Sequence, residues 1–280
     1  MRTYPSGVPC WIDTEQPDKD AACHFYGSLF GWTFEDAMPP AAPGYYLIAQ
    51  LDGDDVAAIG MPGPASTAVW NTYIAVDDAD TIAAAVTKTG GQVSSPPQDA
   101  GDGGRAANFV DPGGAPFRIW QPRRRLGAQV VNAPGSWNFS DLHTADLDSA
   151  KAFYAAVFGW EADELDFGGG QRATMWRRPG YGDHLEATVD PDIRSRQEGI
   201  SAPPGFADAI AWLAPLIEGE VPHWHVTFAV ADRDEMVASA LRLGATDVSG
   251  PVDDAWTKSA VVRDPQGATF TVSQFAPQTS

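Results

Sequence analysis

The sequence predicts an α+β fold made of four modules of similar design, each a strand followed by a helix and further strands. Two internal repeats support this prediction. The stretch 25–32 returns at 153–160, and the stretch 70–77 returns at 224–231. Repeats this specific indicate that the chain was assembled from copies of one supersecondary unit.

The first repeat has the pattern of a capped amphipathic helix. Apolar residues recur at helical spacing from Ala22 to Phe30 and again from Ala150 to Phe158. Each predicted helix has an aspartate at the N-cap and a glycine suited to a left-handed end: Asp18 and Gly31 in the first copy, Asp148 and Gly159 in the second. We interpret the aromatic residues of this repeat as core.

The second repeat predicts a strand followed by a helix that ends at glycine. Each module of this type closes on an Asp-Pro-x-Gly turn, at Asp111 and at Asp264. Four modules follow from the two repeats: about 7–62, 68–122, 136–190 and 222–276. The predicted domains are 1–122, which we call the first half, and 136–280, the second half, joined by a linker over 123–135.

The third module is longer than the first, and we expect the extra residues to form an insertion over 190–221. Within it, Phe206 shares a helical face with Ile210 and Leu213, which predicts a short helix over 203–213. Long insertions in compact folds are often lids, so we expect Phe206 and Trp212 to cover a ligand. The alternative is a helix that merely decorates the surface.

Charge and composition bound the function. The chain of 280 residues has 18 basic against 37 acidic side chains and a net charge of -19. This balance argues against nucleic acid and anionic membranes as partners. The N-terminus lacks an apolar signal core, and no transmembrane run is present. We therefore expect a cytoplasmic protein, monomeric or homodimeric, whose partner is a small molecule.

Four such modules, with Phe-Tyr-x-x-x-Phe-Gly-Trp and Asp-Pro-x-Gly motifs, resemble the vicinal oxygen chelate superfamily of glyoxalase I, bleomycin-resistance proteins and extradiol dioxygenases. The resemblance spans nearly the whole chain and is strongest to tandem glyoxalase-like proteins of actinomycetes. It implies βαβββ modules paired into two half-barrel domains, each with a ligand cleft. We assume that modules one and two pair, as do three and four; pairing of one with four would bring Glu15 near His225.

The resemblance also implies a divalent metal held by first-strand histidines and last-strand glutamates. The first-strand positions fall on Trp11, Asn71, Phe139 and His225, and the last-strand positions on Arg118 and Thr271. His184 and Glu186 are further candidates in the third module. Since His225 alone of the matched positions is a good ligand, we expect no cofactor, and we expect His225 to bond to a neighbouring group. The alternative is a divalent zinc, nickel, iron or manganese ion at His225, His143, Glu186 and His184.

Strand alternation places a mixture of aromatic and polar residues on one face of each half, as in small-molecule pockets. The candidate ligand-binding residues are Trp11, Asp13, Glu15, Asn71, Tyr73 and Arg118 in the first half, and Phe139, Asp141, His143, Thr227 and Thr271 in the second, with Phe206 and Trp212 above them. Asp13, Glu15 and Arg118 equally suit an ion pair.

Two functions remain open. The first is a metal-free binding protein that sequesters an antibiotic or another hydrophobic metabolite. The second is a divalent-metal-dependent glyoxalase-like lyase, or a dioxygenase or hydroxylase, that uses the cleft of the second half. The incomplete ligand set favours the first.

Overall fold

The computed structural model describes residues 1–277 except 40, 64–66, 167–171, 200–201 and 255. The first half contains helices α1 (Lys19–Phe30) and α2 (Ala79–Lys88). Its strands are β1 (Pro9–Glu15), β2 (Thr33–Asp36), β3 (Tyr46–Leu51), β4 (Asp54–Gly60), β5 (Val69–Ala75), β6 (Gln92–Asp99), β7 (Gly104–Val110) and β8 (Pro116–Pro122).

The second half repeats this order with extra elements in its third module. The helices are α3 (Leu147–Phe158), α4 (Tyr181–Thr188), α5 (Ile193–Gly199) and α6 (Arg233–Arg242). The strands are β9 (Trp137–Thr144), β10 (Glu161–Asp166), β11 (Arg172–Arg177), β12 (Ala209–Pro215), β13 (His223–Ala229), β14 (Thr246–Asp253), β15 (Thr257–Arg263) and β16 (Thr269–Phe275). Among the described residues, no helix is both long enough and apolar enough to span a membrane.

Each half forms one open, mixed sheet of eight strands. The strand order is β2-β3-β4-β1-β5-β8-β7-β6 in the first and β10-β11-β12-β9-β13-β16-β15-β14 in the second. The strand pairs β1–β4 and β5–β8 are parallel, and the hairpins that follow each helix are antiparallel. The predicted α+β class and the four modules are confirmed, and modules one and two share a sheet, as do three and four.

Packing divides the chain differently from the sheets, because each compact unit combines a module from each half. The first compact unit comprises Met1–Cys10, Thr72–Gly127 and Ser140–Trp224; the second comprises Trp11–Asn71, Ala128–Phe139 and His225–Ser280. Modules two and three therefore share one unit, and modules one and four share the other.

The aromatic residues of the first repeat lie at the centre of these units, as predicted. In the first unit the Tyr154 ring lies 4.9 Å from Trp160 and 5.8 Å from Phe117. In the second unit the Tyr26 ring lies 5.4 Å from Trp70 and 6.1 Å from Phe270. Both tyrosines are fully buried, and stacked or edge-on aromatic pairs of this kind stabilise a core beyond their buried area.

The predicted helix ends are correct except for one cap. Asp18 caps α1 by accepting from the backbone of Asp20 and Ala21. Gly31 and Gly159 follow their helices in the left-handed region. The N-cap of α3 is Asp146 rather than Asp148, and it accepts from the Ser149 N–H at 3.0 Å. Two aspartates of similar capping ability stand two residues apart, and Asp148 falls in the first turn instead.

The helix predicted over 203–213 is wrong. The chain forms a short 3-10 turn at Phe206–Asp208 and then enters strand β12. This strand lies between β9 and β11. Because every residue of β12 is apolar, the strand shows no period of two, and the run resembles a helix in sequence.

Candidate functional site

A chain of hydrogen bonds joins four residues of the first half, all in the second compact unit. The Trp11 Nε1–H donates to Tyr46 Oη at 3.0 Å, and Tyr46 Oη donates to Asp13 Oδ2 at 3.1 Å. The Asn71 amide donates to the other oxygen of Asp13 at 2.9 Å. Asp13 is only 1% exposed, and both of its oxygens accept bonds within the protein. These groups therefore hold one another in place.

Tyr73 and Arg118 form a second pair in the first half, within the first compact unit. They are register partners on β5 and β8, and the Arg118 Nη1 donates to Tyr73 Oη at 2.9 Å. The guanidinium carbon lies 5.5 Å from the centre of the tyrosine ring, a cation–π distance. Glu15 lies at the end of β1, opposite Gly60, and is half-buried.

In the second half, β9 alternates as predicted. Ser140, Leu142 and Thr144 are buried, whereas Phe139, Asp141 and His143 are partly accessible. Trp212 of β12 is the register partner of Asp141, so the two side chains lie on the same face of the sheet. We call this surface, defined by Asp141, His143 and Trp212, the Asp141 face.

Asp141 provides the carboxylate of this face. Its Oδ1 atom is buried and has no hydrogen-bond partner among the residues that the structure describes. Burial raises the pKa of Asp141 to about 6, although the neighbouring His143 lowers it. A buried carboxylate oxygen without a donor costs free energy, which a ligand that supplies a donor recovers.

Phe206 and Trp212 come together, but they do not form the predicted lid. Their rings lie 6.4 Å apart at an angle of 44°, and both are half-buried. Trp212 belongs to β12 and Phe206 to the turn that precedes it. Trp212 is therefore held within the sheet by the pairing of β12 with β9 and β11, which a hinged lid would have to break.

His225 has the hydrogen bond that the sequence predicts. It is 8% exposed, and its Nε2 lies 2.8 Å from Thr271 Oγ1, in the second compact unit. Thr227, the next residue on that face of β13, is the register partner of Thr271 and is 9% exposed. His225 thus contacts a hydroxyl on the strand where the resemblance places a glutamate.

The alternative metal set of His143, His184, Glu186 and His225 does not assemble. His184 and Glu186 lie on α4 rather than on a closing strand, where His184 contacts Thr3 and Glu186 accepts from Arg194. The polar-apolar-polar order of His184, Leu185 and Glu186 is compatible with a strand as well as with a helix. These residues form a helix, and the strand that pairs with β9 and β11 is β12.

A different cluster forms at the end of β9. In the part of the chain that the structure describes, His143, Glu220 and His223 present ligand atoms within 4.8 Å of one another. All three residues are partly buried. Neither Glu220 nor His223 is among the predicted site residues, because Glu220 lies in a loop whose position depends on β12 and His223 lies at the very start of β13. The pair of histidines two residues apart on β13 was the available signal.

Two surface cavities lie elsewhere. One, of about 290 Å³, is lined by residues of α1, α6 and their surroundings, including Leu29, Pro134 and Met236. The other, of about 170 Å³, lies between α6 and β14 and includes Val237 and Pro251. Neither is lined by a predicted site residue.

Two protein-family models match most of the chain. Residues 16–119 match the model of the Glyoxalase/Bleomycin resistance protein/Dioxygenase superfamily, and residues 137–273 match that of the Glyoxalase-like domain. The chain therefore belongs to this superfamily and carries two of its domains in tandem.

Curated relatives align along nearly the full length. A protein of Mycobacterium tuberculosis named "Putative glyoxylase CFP32" is 37% identical over 98% of this chain and 97% of its own. The "Anthracycline biosynthesis protein DauV" of Streptomyces sp. strain C5 is 33% identical over 97% of this chain and 94% of its own, and DnrV of Streptomyces peucetius is 32% identical over the same shares.

Solved structures share the fold at low identity. The Mn(II)-bound glyoxalase from Novosphingobium aromaticivorans superposes with a TM-score of 0.59 at 18% identity, covering 96% of this chain and 82% of the glyoxalase. The 2,3-dioxygenase LapB from Pseudomonas sp. KL28 gives 0.60 at 12% identity, covering 98% and 95%. At these identities the likeness shows the fold alone.

The side chains at the positions matched to the family's metal ligands do not fit a metal. Trp11 and Phe139 offer no lone pair for a hard or borderline ion, and Arg118 brings a positive charge bonded to Tyr73. His225 contacts a threonine hydroxyl, which is a poor ligand. A metal centre of the family's usual composition is therefore not formed by these residues.

Proposed function

We propose that the protein binds a small organic molecule on the Asp141 face and sequesters or carries it without chemical change. The ligand would present a hydrogen-bond donor to Asp141 and a flat apolar surface to Trp212 and Phe206. The family's metal is not needed for this binding. Asp141, Phe206 and Trp212 lie in the first compact unit, on β9, in the turn before β12 and on β12 respectively.

The unpartnered Oδ1 of Asp141 is the observation that carries the proposal. Other aspartates buried on the sheets are bonded, as Asp13 is by Tyr46 and Asn71. Asp141 instead keeps a buried acceptor that has no donor among the described residues. A ligand hydroxyl or ammonium group would supply a charge-assisted hydrogen bond, and a site with an unpaired buried acceptor discriminates against molecules that lack such a donor.

The aromatic neighbours define the rest of the ligand. Trp212 is fixed beside Asp141 by strand register, and Phe206 packs against it at 6.4 Å. Two partly exposed aromatic rings beside a single acid favour a flat, largely apolar molecule over a sugar or a phosphate ester. The net charge of -19 likewise disfavours an anionic ligand.

The names of two relatives agree with this chemistry. DauV and DnrV are named for anthracycline biosynthesis. Anthracyclines are planar aromatic molecules with hydroxyl groups and often an amino sugar, which are the features that an acid between aromatic side chains would bind. We therefore propose a hydroxylated polycyclic aromatic as the ligand class.

Equilibrium dialysis against quinizarin, a dihydroxyanthraquinone, and against an anthracycline tests the proposal with a chelator present. We expect saturable binding of at least one probe at one site per chain. Asp141→Asn should weaken it by about 10–100-fold, because a charge-assisted bond contributes roughly 1.5–3 kcal/mol. Trp212→Leu should weaken it as well.

The matched control is Asp148→Asn, which removes an aspartate whose side chain is 97% exposed on α3. It should bind the probes as the wild type does. Equal affinity of Asp141→Asn and wild type would reject this face as the site, and failure of every hydroxylated aromatic probe to bind would reject the ligand class.

The second candidate is a divalent-metal-dependent glyoxalase-like lyase, or a dioxygenase or hydroxylase, acting in the second half. It is favoured by the histidines and the glutamate that gather at the end of β9. This function requires turnover of a thiohemiacetal or a catechol that depends on added metal. Binding of an aromatic probe in chelator, with no turnover after metal is added, would decide for the binding protein.

A further inference from the structure

We propose that His143, Glu220 and His223 form a site for one divalent transition-metal ion. The site is distinct from the positions that match the family's metal ligands, which are Phe139, His225 and Thr271 in this half. It lies within the first compact unit, and it does not depend on the organic ligand proposed above.

The fold brings the three residues together at the carboxyl ends of β9 and β12 in the second sheet. Strands β9 and β12 run parallel, so their carboxyl ends lie side by side, with His143 opposite Ala214. The loop after β12 starts with a bond from Leu216 N–H to Thr144 O and then turns at Ile217–Glu220. His223 begins β13 directly after this loop.

The distances suit ligands of one small ion. His143 Nδ1 lies 3.0 Å from Glu220 Oε2, and the ring centres of His143 and His223 lie 4.7 Å apart. Two atoms that each lie about 2.0–2.2 Å from one metal are separated by about 3–3.5 Å. The pair at 3.0 Å already has this spacing, and the ligand atoms of all three residues lie within 4.8 Å of one another.

The His223 ring has the orientation that is usual for a histidine that binds a metal ion. Its Nδ1 lies 2.8 Å from the Val221 carbonyl oxygen, which only accepts, so the proton is on Nδ1 and Nε2 is the unprotonated nitrogen. Histidines that bind metals usually donate their other N–H to a carbonyl or carboxylate in this way. Burial lowers the pKa of His223, so the ring is neutral at pH about 7.

Glu220 is held in place by a second contact. Its Oε2 accepts from the Ile217 N–H at 3.0 Å as well as from His143. Burial raises the pKa of Glu220, but the bond from Ile217 and the neighbouring His143 outweigh this, and the pKa falls below its usual value. The carboxylate is therefore charged, which is the form that binds a metal ion.

The donor set identifies the class of ion. Two imidazole nitrogens and one carboxylate suit zinc, nickel, cobalt, iron or manganese, whereas calcium and magnesium prefer oxygen ligands alone. Three protein ligands leave at least one coordination position for water or another molecule. The side chains of His143 and Glu220 are 18% and 23% exposed, so an ion can reach them from solvent.

The test is calorimetric titration of the full chain, freed of metal with a chelator, with Zn²⁺ and with Ca²⁺. We expect one Zn²⁺ per chain and no comparable Ca²⁺ binding. His143→Ala, His223→Ala and Glu220→Gln should each lower Zn²⁺ affinity about 100-fold or more, because groups that merely support a ligand are worth about 10–100-fold. Glu220→Gln preserves shape, which separates loss of a ligand from loss of the fold.

Two further histidine variants, His24→Ala and His225→Ala, complete the experiment. His24 is exposed on α1, and His24→Ala should bind Zn²⁺ as the wild type does. Replacement of Zn²⁺ by Co²⁺ should give visible absorption of a low-coordinate ion, lost in His223→Ala. The proposal is overturned if the wild type binds no Zn²⁺ or if affinity survives all three substitutions. It is equally overturned if His225→Ala abolishes binding while His143→Ala does not.

Discussion

Tyr26 and Asp264, 238 positions apart in the chain, are joined by a hydrogen bond of 2.7 Å in the second compact unit. Tyr154 and Asp111 form the equivalent bond at 3.2 Å in the first. In each case the tyrosine of the helical repeat donates to the aspartate of an Asp-Pro-x-Gly turn in the other half. Burial, and then the nearby aspartate, raises the pKa of both tyrosines, so they remain neutral donors. In each compact unit, the two sequence motifs therefore contact each other through this hydrogen bond.

Tyr26→Phe should destabilise the protein by about 1–3 kcal/mol, because it leaves a buried acceptor short of a donor. Asp264 Oδ2 would then keep the bond from Gln16 at 2.6 Å, with no other donor among the described residues. Urea-induced unfolding measures the loss of unfolding free energy. Combined with Asp264→Asn, the double variant should lose less than the sum of the two single changes; strict additivity would show that the pair is not coupled.

Asp141→Asn should alter how stability depends on pH. The pKa of Asp141 is about 6 in the folded protein against an ordinary 3.8, so the folded state binds the proton more tightly between these values. Its contribution favours folding below the lower value and is lost as pH rises through the higher one.

The asparagine variant does not titrate, so its stability relative to wild type should rise from pH about 4 to about 7.5, by up to about 3 kcal/mol. Denaturant unfolding at a series of pH values measures this. Asp148→Asn, with its exposed side chain, should not show the change. A constant difference between Asp141→Asn and wild type at every pH would contradict the prediction.

Gly31→Ala should cost about 1 kcal/mol through the backbone alone. Gly31 has φ 77°, and an added Cβ would meet no atom within 4 Å. Gly250 is the matched control, since it has equal space without a positive φ. Gly250→Ala should be neutral or slightly stabilising in thermal unfolding. Equal effects of the two changes would mean that the left-handed conformation is not what the helix end requires.

A fragment of residues 1–127 should not be a stable folded monomer. Each compact unit draws one module from each half, so this fragment contains only part of each core. Sedimentation and near-ultraviolet circular dichroism of the fragment should show an unfolded or self-associated chain. Mixing it with 128–280 should restore the native spectrum. A monomeric fragment with native aromatic signals would contradict the packing described for Tyr26 and Tyr154.

Local signals in the sequence were enough to predict the modules. The helix ends at Gly31 and Gly159, the turn at Asp264 and the alternation of β9 all depend on residues near one another in the chain. These patterns predicted the α+β class, whereas the pairing of modules one with two and three with four was an assumption, with pairing of one with four as the alternative. Which modules share a compact unit could not be decided from local patterns, because it depends on contacts such as the bond between Tyr26 and Asp264.

The site was predictable only in part, for the same reason. Asp141, His143 and Trp212 were named in advance, but Trp212 reached its place as a strand residue rather than as part of a lid. A strand made of apolar residues alone, as β12 is, shows no period of two and can also match the spacing of a helix. Glu220 joins His143 only after β12 fixes the start of its loop, and no local pattern near Glu220 indicates that partner.

The joining of both halves in one chain allows the equivalent faces around Asp13 and Asp141 to differ. In a symmetric dimer of one short chain, any substitution appears on both copies at once. In this tandem chain, Asp13 is tied down by tyrosine and asparagine, while its counterpart Asp141 keeps an open acceptor. Each face of the tandem chain is encoded separately, so the two equivalent aspartates can have different surroundings within one protein.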